Sequence, residues 1–181
     1  MAVRQFRLIL LPKEVLLSKY EIAPPVIPQE MAEDFSWWAD VQPPTGFEGK
    51  IDLILPRRAS WSTDGLMWGH EDRDDACVFY VDEMKSKIEE IAFRIDASSI
   101  SSELVKQICS LARELGCVLM TADYEILLPE ESMLLAAIHH STAKKFVDDP
   151  VATLRQINQP EIQKRFKYLL KDKGNNPTAK G

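Results

Sequence analysis

Apolar and polar positions are most regular between Ala76 and Thr121, and their period changes twice there. Cys77 to Val81 is a β-branched and aromatic run, the composition of a strand. Further on, Ile91, Phe93 and Ile95 alternate with Glu90, Arg94 and Asp96, the two-residue period of a strand with one wet face. Met84-Lys85-Ser86-Lys87, polar and short, lies between the two. That is a hairpin loop with no room for a crossover, so the pair is expected to be antiparallel.

From Leu104 the spacing becomes three and four. Leu104, Ile108, Leu111 and Leu115 form one helical stripe, with Val105 and Ala112 beside it. Ser99 or Ser101 is placed to cap this helix, and Glu103 suits the positive end of its dipole. Gly116 follows as the residue most able to take a left-handed C-terminal conformation. A return strand, Cys117 to Thr121, completes a unit of hairpin, capped helix and strand.

The flanks are read the same way. Val3 to Leu11 alternates Phe6, Leu8 and Leu10 against a second, partly apolar face, which predicts a strand lying centrally in a sheet. Seven of the eleven prolines fall between Pro12 and Pro56 and break that segment into short helical pieces, near 14–20, 29–35 and 47–55. Leu66 to Trp68 reads as a short strand, and Tyr124 to Leu128 as the partner of 117–121. One long helix is predicted over 129–147, with Leu134, Leu135, Ile138, Thr142 and Phe146 facing inward. A short helix follows from Asp149-Pro150 to Ile157, then another from Pro160. Hairpins dominate this order. The expected fold is α+β: a single domain over 1–172, with a mostly antiparallel sheet of about five to six strands, helices packed on one side, and a disordered tail over 173–181.

Composition narrows the function. At 181 residues, 45% apolar and 28% charged, the chain has ordinary globular proportions. No apolar run approaches the roughly 18 residues of a membrane span, and Leu8 to Leu11 is too brief for a signal-peptide core, so a cytoplasmic protein is expected. Cys77, Cys109 and Cys117 show no metal or redox spacing and read as buried, inert thiols. The net charge of −6 is uneven: residues 161–181 carry +4 and the first 160 carry −10. An acidic body disfavours nucleic acid, whose binding depends on cation contacts, and suits a basic partner.

The common catalytic and cofactor signatures are missing. With seven glycines there is no G-x-G-x-x-G, P-loop or G-x-S-x-G, and no cofactor is expected. The acidic loop 71–75 fails the Ca²⁺-loop pattern at Ala76 and Cys77, and His70-Glu71 lacks the second histidine of a zinc-protease motif, so no metal is expected either. His139 and His140 are adjacent on a helix and point about 100° apart, which hinders a shared metal or substrate. A hydrolase using these histidines with the carboxylates of 71–75 is the enzymatic alternative.

Aromatic crowding is the distinctive signal. Phe35, Trp37, Trp38, Phe47, Trp61 and Trp68 lie within 34 residues, with Arg57 and Arg58 among them. Trp and Arg carry a disproportionate share of interface energy, so Trp37, Trp38, Arg57, Arg58 and Trp61 are the candidate binding residues, with one of Trp37 and Trp38 expected at the surface. The reading is a non-enzymatic protein-binding module, either of an inhibitor or immunity type with a basic partner or a homodimer.

Overall fold

The computed structural model describes residues 4–70 and 73–157. The expected helix from Pro160 and the tail over 173–181 lie outside the described residues.

Seven strands form one antiparallel sheet in the order β2-β3-β4-β5-β1-β6-β7. They are β1 (Gln5–Pro12), β2 (Arg57–Arg58), β3 (Gly65–Gly69), β4 (Asp75–Tyr80), β5 (Ile88–Asp96), β6 (Cys117–Thr121) and β7 (Ile126–Leu127). β2, of two residues, was not expected; the other six lie where strands were expected from sequence, with β7 shortened to two residues. β1 is central as its two apolar faces predicted, paired with β5 through Gln5↔Asp96 and with β6 through Leu8↔Thr121.

The helices are α1 (Lys13–Tyr20), α2 (Gln29–Asp34), α3 (Glu48–Asp52), α4 (Ser102–Glu114), α5 (Glu131–His140), α6 (Thr142–Asp148) and α7 (Pro150–Ile157). α4 carries the predicted stripe, with Leu104, Val105, Ile108 and Leu111 buried. Ser101 is its cap, accepting a hydrogen bond from the Leu104 N–H at 3.2 Å. Gly116 ends the helix at φ +65°, where a side chain would be strained. The single helix expected over 129–147 is instead two. Ser141 takes an extended conformation between them, its hydroxyl capping the Lys144 N–H of α6 at 3.1 Å. A serine whose side chain competes for backbone donors favours such a cap over continuing a helix.

Register sorts the sheet into two faces. Leu8, Phe93, Val78 and Trp68 share one face and are buried. α3 and α4 cover it. Trp68 Nε1 donates to Asp52 of α3 at 2.6 Å, the Tyr80 hydroxyl donates to Glu48 at 2.7 Å, and Lys50 of α3 pairs with Glu114 of α4. α5 and α6 continue this layer, α5 against α4 and α6 against β1. Ile9, Arg7, Arg94, Cys77 and Asp75 share the opposite face.

Candidate functional site

Between α1 and α3 the chain crosses from one face of the sheet to the other. Val26 bridges Glu125 beside β7, and the Ile126 N–H donates to Pro25 O at 2.9 Å. Residues 32–38 lie on the face bearing Ile9, Leu11 and Met120 and enclose a half-open cleft of about 460 Å³ against them. The volume is in the range of small-ligand sites, ~300–1,000 Å³.

Two indoles hold this segment in place. Trp38, 1% exposed, donates from Nε1 to Leu10 O at 3.1 Å; Trp37, 5% exposed, donates to Ala32 O at 3.4 Å. The main-chain pairing of β1 with β5 runs only from Gln5↔Asp96 to Ile9↔Ala92, so Leu10 O is free to accept the Trp38 indole. Gln42 completes the plug. Its side-chain amide accepts from the Ile88 N–H at 2.8 Å and donates to Ile88 O at 3.4 Å, replacing a neighbouring strand.

Phe35 and Phe79 wall the cleft, with Trp37 and Trp38 at its base. Phe35 meets Trp37 edge-on at 4.8 Å between ring centroids, a favourable aromatic geometry. Four carboxylates, Glu33, Asp34, Glu89 and Glu90, also line it. Glu89 and Glu90 are sequence neighbours, and alternation would send them to opposite faces. A β-bulge explains their sharing the cleft: Phe79 pairs with Glu90 but Tyr80 pairs with Ile88, leaving Glu89 as the extra residue. Arg7 Nη2 donates to both oxygens of Glu90, at 2.7 and 2.8 Å. Lys19 of α1 places its Nζ 3.8 Å from the centroid of the Phe35 ring.

Phe79 also joins the cleft to the surface. Its ring lies 5.9 Å from that of Trp61, which is 75% exposed. The Trp61 loop adjoins the β4–β5 turn, because the Tyr80 N–H donates to Asp64 O at 2.9 Å and the Thr63 hydroxyl to Glu83 at 3.2 Å. That turn exposes Val81 and, at 90%, Met84. Cleft, Trp61 and turn therefore adjoin one another.

The same face holds a half-buried ion pair. Arg94 grips Asp75 with Nε to Oδ1 at 2.7 Å and Nη2 to Oδ2 at 2.6 Å. Burial pushes the Asp75 carboxyl above its ordinary range, and the Arg94 charge offsets this only in part. Arg94 Nη2 also lies 3.9 Å from the Cys77 sulfur. Burial raises that thiol, and Asp75 adds to the shift.

The five binding candidates do not form one surface. Trp37 and Trp38 are both buried, so the expectation that one is exposed is corrected: each needs its N–H satisfied by backbone, and both rings pack against the sheet. Arg57 is committed to the helix-covered face, pairing with Asp52 at 3.0 Å and lying 5.0 Å from the Trp68 ring. Arg58 lies in register with Met67 and Cys77 on the opposite face. Trp61 alone of the three candidate tryptophans is exposed.

Sequence reasoning missed Glu33, Asp34, Glu89 and the cleft role of Phe79. One signal was present: Ile88 and Ile91 are both buried but three residues apart, a break in strand alternation that marks the bulge.

The groups of the enzymatic alternative do not converge among the described residues. His139 and His140 are exposed at the end of α5, and His140 Nδ1 lies 2.7 Å from Ala136 O. Asp74 instead accepts from the Asp96 N–H at 2.6 Å, and Asp75 is held by Arg94. Glu71 and Asp72 lie outside the described residues. No group of three or more His, Cys, Asp or Glu placed to hold a metal occurs among the described residues. None of the described helices is long and apolar enough to cross a membrane. Compared with known proteins, the chain matches no family model, no curated protein and no solved structure.

Proposed function

We propose that this chain is a non-enzymatic protein-binding module of an inhibitor or immunity type, and that it docks a basic partner through the Trp61 side of the sheet. The observation that carries the reading is the exposed Trp61 packed at a tilt against Phe79, which leads into a cleft lined by four carboxylates. A tryptophan left 75% exposed on a loop beside the sheet buries little in the free chain and contributes most when a partner covers it. Val81 and Met84 extend the apolar patch. The carboxylates around it set the sign of the partner, since complementary charge steers encounter and selects against acidic surfaces.

The test is reconstitution. A protein cross-linked to the chain in its source cells is purified and titrated against wild type and Trp61→Ala. The reading expects a basic partner and a loss of about 30-fold or more on removing the indole, the effect of a hot-spot residue. Equal affinity of the two forms overturns it. A second copy as occupant is the competing outcome, and a Trp61-dependent dimer in sedimentation would reveal it.

A further inference from the structure

We infer that the cleft takes a long cationic side chain, lysine or arginine, presented by the partner, and that the charge of Lys19, seated on Phe35, opposes it in the free chain. This rests on the docking reading above and identifies which partner group enters.

The lining fits such a group at both ends. A lysine or arginine stem is apolar and lies along aromatic surface, while its head needs carboxylates. Phe35 and Phe79 supply the surface, and Asp34 and Glu89 the charge. Glu90 already holds the Arg7 guanidinium, so this lining accepts a cation. Phe35 already carries one too, the Lys19 ammonium at 3.8 Å. Such a contact is weak at an exposed site and stronger when water is excluded. Lys19 itself is exposed, so its hold on Phe35 is weak and reversible. Its positive charge opposes an incoming cation, and removing that charge favours the ligand.

The experiment follows the indole N–H signals of Trp37 and Trp38 by NMR during titration with three capped tripeptides, acetyl-Ala-X-Ala-amide, where X is lysine, norleucine or glutamate. The lysine peptide is expected to shift both signals, and norleucine, which keeps the stem without the charge, to bind about tenfold more weakly. Glutamate should give no shift. Lys19→Met is expected to tighten the lysine peptide about threefold and Glu89→Gln to weaken it about threefold, both effects fading at high salt. Norleucine binding as tightly as lysine, or no shift with any peptide, overturns the inference. Trp61→Ala separates the two proposals, because it removes partner affinity but leaves the peptide shifts unchanged. Silent peptides with Trp61-dependent partner binding defeat only the cationic occupant. Active peptides with Trp61-independent partner binding defeat the docking reading.

Discussion

On the helix-covered face, contacts come from one continuous stripe. Leu104, Ile108 and Leu111 of α4 are buried, and Trp68 and Tyr80 beneath α3 have their polar atoms satisfied by Asp52 and Glu48. On the opposite face, Ile9, Leu11 and Met120 meet a proline-broken segment, and the lining mixes buried indoles with carboxylates. The first arrangement closes a core, whereas the second leaves a cleft and an exposed tryptophan. Two tryptophans of similar sequence context thus have opposite roles: Trp38 is structural and Trp61 is presented to solvent.

The largest effect that would break this contrast is on Trp38. Trp38→Ala removes a large buried side chain and the partner of Leu10 O, and should cost about 4 kcal/mol in urea unfolding. Next is Arg94→Met, which leaves the buried Asp75 carboxylate unpaired at a cost of about 3 kcal/mol at neutral pH. Because burial raises Asp75 above its unfolded value, protonation favours the folded state. The deficit of this variant should therefore shrink as pH falls, which denaturation at pH 7 and pH 4 would check.

The thiols give a smaller, alkaline effect. Burial pushes Cys117 from 9.0 up to about 12 and Cys109 up to about 11. The unfolded chain ionises first, so the stability these thiols contribute is complete below pH 9.0 and is lost as pH rises toward those folded values. Cys117 alone should account for about 2 kcal/mol of loss at pH 10.5, and Cys117→Ala should remove that part of the slope. Smallest is Trp61→Ala, expected to change stability by less than about 0.5 kcal/mol, as for a surface substitution outside the core. A large loss there would make Trp61 structural and end the contrast with Trp38.

The two faces also differed in how far they could be read from sequence. The α4 stripe, its Ser101 cap and Gly116 were legible because helical period, cap and stop all lie within sixteen residues. β1 was placed centrally from its two apolar faces, which its pairing with β5 and β6 explains. The break at Ser141 was hidden, because apolar spacing continues across 134–146 and only the serine's backbone competition interrupts it. The cleft is assembled from 9–11, 32–38, 79, 89–90 and 120, segments joined only by strand register, of which the Ile88–Ile91 spacing is the one local sign. Exposure of a tryptophan in proline-broken chain was equally hidden: Trp38 is buried by its reach to Leu10 O, a contact 28 residues away.

Hydrogen–deuterium exchange with the partner bound tests the account most directly. Slowed exchange confined to residues 32–38, 60–64 and 79–90, with α4 and α5 unchanged, is the predicted result. Protection centred on α5 and α6, with those three segments exchanging as in the free chain, would contradict it.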